Sequence, residues 1–253
     1  MKLDTKKNLA ERHRPEAIRE RLRSPVKQNV ISDAILGGID GCVTTFAVVA
    51  GVIGAGLSPS VALILGFANL IADGFSMAIS NYESIKADNE FIQSVRASEQ
   101  EHIDKIPIGE REEIRQIFET KGFSGEVLES IVETICADQR LWIDTMLTEE
   151  HGVLKISRDP VKASITTFAS FIVVGSVPLI PFMVPVLEGS SQFTFSASLA
   201  AIMFFSIGAL KSRVFFKPVL RSGAGTLLTG GGAAILAFLV GYLLREIFGI
   251  AAV

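Results

Sequence analysis

Three pairs of side chains between residues 86 and 160 have the types and the spacing of metal ligands. The members of each pair are three or four residues apart, so in a helix they lie on one face. The pairs are Glu99 with His102, Glu110 with Glu113, and Met146 with Glu150. Carboxylates combined with an imidazole and a thioether suit first-row transition metals. If three packed helices each contribute one pair, the sequence predicts a metal-binding cluster; a single pair would be an ordinary solvated face.

A second group of polar residues lies in stretches that are otherwise apolar. Asp40 lies in the first stretch, and Asp73, Met77 and Asn81 lie in the second. An ionisable group inside a membrane span is costly and usually faces a bundle interior or an aqueous path. At about 1.5 Å of rise per residue, Asp40 and Met77 reach similar depths in two antiparallel spans. These four residues are the candidate transport pathway, and a plain helix–helix contact is the alternative.

The elements that would position these residues are membrane spans and a soluble insert. The mean hydropathy of +0.42, with 49% hydrophobic residues among 253, is too high for a soluble protein. Five stretches approach the roughly 20 residues that a helix needs to cross a bilayer. They are residues 34–57, 60–82, 163–187, 195–210 and 225–244. We therefore expect an all-α polytopic membrane protein with five transmembrane helices.

The insert is residues 86–160, which hold 17 Asp/Glu and 9 Lys/Arg in a chain whose net charge is only −3. Apolar residues at helical spacing, with breaks near Pro107 and Gly122, predict three helices over 86–105, 109–120 and 124–151. The predicted organisation is a basic N-terminal segment, two spans, the insert and three spans. These parts cover residues 1–30, 31–85, 86–160 and 161–253.

Lys and Arg are concentrated in the N-terminal segment and in the loop between the fourth and fifth stretches. That loop carries Lys211, Arg213, Lys217 and Arg221, whereas the turn at Ser58 and the loop after Glu188 carry none. Because basic loops stay in the cytosol, we expect the N-terminus and the insert to be cytosolic and the C-terminus to lie on the opposite side.

The order of these features resembles the vacuolar iron transporter family, from about Ser32 to the C-terminus. The most specific part of the first span is residues 40–47, DGCVTTFA. The most specific part of the second is residues 68–84, ANLIADGFSMAISNYES. The insert after the second span and the total of five spans are also similar.

The resemblance implies a homodimer whose pathway runs between the first two spans of each subunit and exports Fe²⁺ from the cytosol in exchange for protons. Asp40 and Met77 would be ligands in this pathway. Metal in the cytosolic domain would be bound by Glu99, Glu110, Glu113, Met146 and Glu150. Asn81 and His102 stand where plant members tend to have Glu, and Asn69 and Asp73 also differ from the plant-like pattern.

Other functions remain open at this level. Mn²⁺ or another divalent ion could replace Fe²⁺, because first-row metals share one order of affinity. The spans could merely tether a metal sensor or store. An enzyme is not expected, because Glu99 to His102 is a single Glu-x-x-His motif where a di-iron oxidase needs two.

The expected partners are membrane lipid, divalent metal ions, protons and a second copy of the chain, with no nucleic acid. The metal is the substrate, and no permanently bound cofactor is expected. The length and the lack of a targeting extension favour a bacterial plasma membrane, with a vacuolar-type membrane as the alternative.

Overall fold

The computed structural model describes residues 10–23, 30–153, 158–184, 186–187, 189–215 and 218–249. Its helices in chain order are α1 (Pro15–Arg23), α2 (Ile31–Gly54), α3 (Pro59–Lys105), α4 (Pro107–Thr120), α5 (Gly125–Cys136), α6 (Gln139–Glu149), α7 (Pro160–Gly175), a 3₁₀ helix (Val177–Met183), α8 (Gly189–Phe215) and α9 (Val219–Phe248). The described residues contain no β-strand. Parts of the predicted basic N-terminal segment, Glu188 and Lys217 lie outside them.

The chain divides into two compact units. The first comprises residues 1–82 and 160–253, and the second comprises residues 83–159. Four helices of the described chain, α2, α3, α8 and α9, are long and apolar enough to cross a membrane, and the bent pair of α7 and the 3₁₀ helix would make a fifth. The prediction of an all-helical membrane protein is therefore confirmed.

The largest differences from the predicted membrane spans are in the third and fourth, and the helices of the second and fifth are also longer than predicted. The stretch 163–187 is broken, because α7 ends at Gly175 and the 3₁₀ helix continues at an angle of 41°. Pro178 and Pro181 lie in that 3₁₀ helix, where each removes a backbone donor that an α-helix would use. The stretch 195–210 is longer than predicted, because α8 extends from Gly189 to Phe215.

Helix α2 lies at the centre of the first unit and packs against α7, α8 and α9. Glycines allow it to approach two of these helices at backbone distance. A Cβ on Gly41 would lie 2.5 Å from the carbonyl oxygen of Phe171 on α7. A Cβ on Gly54 would overlap the carbonyl oxygen of Phe238 on α9. Small residues at such crossings are the usual means of close packing between membrane helices.

Replacing Gly54 with Ala should therefore destabilise the first unit, because the added methyl group meets backbone that cannot rotate away. Overpacking of this kind costs about 1 to 3 kcal/mol. Thermal unfolding in detergent, followed by size-exclusion chromatography after heating, would measure the loss. Gly231→Ala on α9 is the matched control, since its Cβ would meet nothing within 4 Å. Equal stability of the two variants would contradict this packing.

The second unit contains the end of α3 together with α4, α5 and α6. Its hydrophobic core includes Ile103, Ile114, Val132, Trp142 and Met146. The prediction of one helix over residues 124–151 was wrong, because α5 ends at Cys136 and α6 begins at Gln139. Asp138 caps α6 by accepting hydrogen bonds from the backbone amides of Arg140 and Leu141.

Candidate metal sites

Two buried carboxylates form the centre of a cluster in the second unit. Glu99 on α3 and Glu110 on α4 are 3% and 2% exposed. In both side chains Oε2 has no hydrogen-bond partner among the described residues. A buried polar atom without a partner carries a free-energy cost. Such oxygens therefore indicate a site arranged to receive a ligand.

Two histidines lie against these carboxylates. His102 Nδ1 lies 3.9 Å from Glu99 Oε1 and 3.6 Å from Glu110 Oε1. His151 Nε2 lies 3.0 Å from the same oxygen of Glu99 and 3.7 Å from Glu150 Oε2. The cluster thus contains nitrogen as well as oxygen donors.

The cluster consists of two sets of three residues that share Glu99. The first set is Glu99, His102 and Glu110, and the second is Glu99, Glu150 and His151. Within each set the ligand atoms lie within 4.8 Å of one another. Because metal–nitrogen and metal–oxygen bonds are about 2.0 to 2.2 Å long, small side-chain shifts would let one divalent cation contact all three residues of a set.

Burial and the concentration of negative charge raise the pKa values of carboxylates in and beside the cluster. Burial, together with repulsion from Glu113 and Glu99, raises the pKa of Glu110 from 4.5 to about 7. Desolvation and repulsion from Glu150 and Glu99 also raise the pKa of Glu113. A bound divalent cation would relieve this repulsion, and its binding would displace the proton of Glu110.

Of the six ligands predicted for the second unit, four belong to the cluster and two do not. Glu99, His102, Glu110 and Glu150 belong to the two three-residue sets. Glu113 is exposed and lies close enough to be repelled by Glu99 and Glu150, but it is outside both sets. Met146 is fully buried in the hydrophobic core, so its role as a ligand stays a prediction.

Sequence reasoning did not place His151 in the cluster. This residue follows directly after a predicted ligand, Glu150, at the end of α6. Its partner Glu99 is 52 residues away in the chain, so no helical spacing links the two. The adjacency to Glu150 was the one signal that could have drawn attention to it.

The raised pKa of Glu110 predicts how the stability of the metal-free protein depends on pH. Folded Glu110 keeps its proton up to about pH 7, whereas the unfolded chain loses it near the ordinary value of 4.5. Between these values the folded state binds more protons, so stability falls as pH rises. Between pH 5 and 7.5 we expect the free energy of unfolding of the wild type to fall, because of Glu110, by about 1 kcal/mol after allowing for solvent screening. In Glu110→Gln this contribution to the fall should be absent.

Fluorescence of Trp142 can measure this effect, because it is the only tryptophan and lies in the core of the second unit. Thermal unfolding would be recorded in the presence of a chelator at several pH values. Glu101→Gln is the matched control, because Glu101 is an exposed acid of the same unit and lies on α3. A pH dependence that is identical in wild type and Glu110→Gln would show that Glu110 ionises normally.

The first unit contains the predicted pathway residues. Asp40 on α2 and Asp73 on α3 are half-buried and close enough for their carboxylates to repel each other. Asn69, Asp73, Met77 and Asn81 recur every four residues along α3, and all four are half-buried. These residues form one stripe along α3, here called the polar stripe, which carries one carboxylate, two amides and a thioether. The buried amide nitrogen of Asn69 has no hydrogen-bond partner within the described residues.

Asn81 connects three helices of the first unit. Its amide nitrogen donates hydrogen bonds to Asp33 Oδ1 on α2 at 3.1 Å and to Thr167 Oγ1 on α7 at 2.8 Å. Asp33 is only 3% exposed. The sequence analysis did not single out Asp33, so its burial was not foreseen. Asn81 therefore positions α3, and its direct contact with a transported ion stays a prediction.

Comparison with known proteins identifies the family. The model of the VIT family matches residues 31–242 of this chain. A vacuolar iron transporter of Toxoplasma gondii is 30% identical over 192 residues, and one of Plasmodium falciparum is 31% identical over 188 residues. These alignments cover 72% and 71% of this chain and 64% and 69% of the relatives. This chain thus spans somewhat less than two thirds of the Toxoplasma protein.

A plant protein gives a similar result. Vacuolar iron transporter 2 of Oryza sativa subsp. japonica is 32% identical over 186 residues, which cover 73% of this chain and 75% of the relative. The matched family region includes both polar stretches of the first unit and the whole carboxylate cluster of the second. The chain is an integral membrane protein and belongs to the VIT family.

Proposed function

We propose that this protein transports a divalent transition metal, Fe²⁺ in the first instance, out of the cytosol in exchange for protons. The observation that carries the proposal is the pair of neighbouring carboxylates, Asp40 and Asp73, inside two helices of membrane-spanning length. Charged groups at such positions usually mark an ion pathway. The similar proteins from Toxoplasma gondii and Oryza sativa are vacuolar iron transporters, which supports iron as the cargo and transport rather than enzymatic catalysis.

The proposed topology has five spans, with the bent pair of α7 and the 3₁₀ helix as the third. The N-terminus and the second unit face the cytosol, and the C-terminus lies on the opposite side. The distribution of Lys and Arg among the short loops supports this orientation. A bacterial plasma membrane stays the predicted location.

The second unit is proposed to collect metal ions before transport. The cluster around Glu99 and Glu110 supports this role, because its buried oxygens lack partners and its carboxylates repel one another. The proposed ligands are the six predicted from the sequence. They are Glu99, His102, Glu110, Glu113, Met146 and Glu150.

A homodimer is proposed because one copy alone leaves the polar stripe of α3 incompletely covered. Asp40, Asp73 and Met77 are each only half-buried in the single chain. An aspartate in contact with lipid tails would be unstable. A second copy packed against α3 would enclose the stripe and complete the pathway.

Proton coupling follows from the chemistry of the proposed ligands. A carboxylate must be deprotonated before it binds a metal ion. A pathway carboxylate would therefore give up its proton when it binds the metal ion. Protons entering from the opposite side of the membrane would in turn displace the metal.

Flux measurements on the purified protein in liposomes would test the proposal. Anaerobic Fe²⁺ and, separately, Mn²⁺ would be added with and without an imposed pH gradient. Flux that depends on the gradient would establish proton-coupled transport, and the ratio of the two rates would measure selectivity. Folded protein that binds metal but gives no flux would contradict transport and favour a membrane-anchored sensor or store.

A further inference from the structure

We propose that His151 is a metal ligand of the carboxylate cluster. It gives the site a second imidazole, so the site would prefer ions that bind nitrogen ligands well and would bind Mn²⁺ less favourably. The inference rests on the proposed function only in requiring that the cluster binds metal. It adds a residue outside the six predicted ligands and assigns a chemical consequence to it.

The position of His151 carries the inference. Its Nε2 atom lies within 4.8 Å of carboxylate oxygens of both Glu99 and Glu150, so the three form a compact donor set. Its side chain is 33% exposed, whereas that of Glu99 is only 3% exposed. An ion entering from solvent would therefore meet the imidazole before it reaches the buried carboxylate.

A hydrogen bond alone would be the simpler interpretation of the 3.0 Å contact between His151 Nε2 and Glu99 Oε1. Two observations favour a role for His151 as a metal ligand in addition to this hydrogen bond. Glu99 Oε2 has no hydrogen-bond partner among the described residues, so this contact does not satisfy the carboxylate. His102 Nδ1 also lies near the same Oε1 atom, at 3.9 Å, so two imidazoles converge on one buried carboxylate.

The second imidazole would change which ions the cluster prefers. Imidazole suits Fe²⁺, Ni²⁺, Cu²⁺ and Zn²⁺, whereas sites made of carboxylate and water suit Mg²⁺, Ca²⁺ and Mn²⁺. With both histidines as ligands, each set of three residues supplies one nitrogen donor. Removing His151 should then weaken the binding of nitrogen-preferring ions more than that of Mn²⁺.

Calorimetric titration of the full-length protein in detergent with Zn²⁺ and with Mn²⁺ would test this difference. We expect His151→Gln to raise the Kd for Zn²⁺ by about tenfold or more, the scale on which supporting residues of metal sites act, and the Kd for Mn²⁺ by less than about threefold. His13→Gln is the matched control, because it removes the one histidine of the chain's three that lies outside the cluster. Unchanged Zn²⁺ affinity, or equal losses for both ions, would overturn the inference.

A second measurement leaves His151 itself unchanged. The double variant His13→Gln/His102→Gln retains His151 as its only histidine. When it is loaded with one equivalent of Cu²⁺, pulsed electron paramagnetic resonance should detect the nitrogen of a coordinated imidazole. Absence of that signal from bound Cu²⁺ would overturn the inference. If the wild type binds neither Zn²⁺ nor Mn²⁺ at the cluster, the collecting role proposed above fails as well, which separates the two outcomes.

Discussion

Asp40→Asn is expected to abolish metal transport while the protein still folds and inserts into the membrane. The substitution keeps the shape of the side chain but removes the charge that a divalent cation needs and the proton that coupling needs. We expect flux in liposomes to fall at least about a hundredfold, since a lost charged ligand costs several kcal/mol in a site with few donors. The measurement is Fe²⁺ and Mn²⁺ uptake under an imposed pH gradient.

Asp88→Asn is a suitable control for this experiment. It makes the same chemical change at an exposed position of α3. Its flux should equal that of the wild type. Normal flux from Asp40→Asn would remove the main support for a pathway at this position. A variant that binds metal at the second unit but no longer transports would show that collection and transport use separate sites.

Glu99→Gln should be the most damaging single substitution for metal binding by the second unit. Glu99 is the one residue shared by both three-residue sets, so its loss affects both. Its burial also means that no solvent-exposed acid can take its place. We expect the Kd for Zn²⁺ to rise by about a hundredfold, at the upper end of the range for altered metal sites.

Two further variants set the scale for this effect. Glu113→Gln removes an exposed carboxylate that lies near the cluster but outside both sets, so its loss should be smaller. Glu101→Gln removes an exposed acid that forms an ion pair with Lys105 and should leave affinity unchanged. If all three variants bind equally, the cluster attracts metal only through its overall charge.

The membrane-spanning helices were predictable because their signal is carried by length and composition. Each of α2, α3, α8 and α9 contains a long apolar run. In lipid such a run forms an α-helix, because a helix satisfies all of its backbone hydrogen bonds within one segment. The bend after Gly175 was harder to predict. The apolar character continues through Pro178 and Pro181, so hydropathy alone does not separate α7 from the 3₁₀ helix.

Contacts between residues at helical spacing on one helix were predictable from the sequence. Contacts between residues that are distant in the chain were not. Glu99 with His102 is visible as an i, i+3 pair, but the contact of Glu99 with His151 depends on how α3 and α6 pack. Asp33 and Asn81 form a hydrogen bond across 48 residues for the same reason. The break between α5 and α6 was missed because capping by Asp138 is a local backbone event within a continuous helical pattern.

The glycine contacts of α2 also restrict how the protein can move. A screw motion of this helix by one residue, about 100° of rotation with about 1.5 Å of translation, would replace Gly41 or Gly54 at its crossing point with a residue that carries a side chain. Both crossings would then clash with the backbone of α7 and α9. These contacts therefore restrict rotation of α2 within the first unit. Under the proposed transport function, movement of other helices of the first unit would expose Asp40 to the two sides of the membrane in turn.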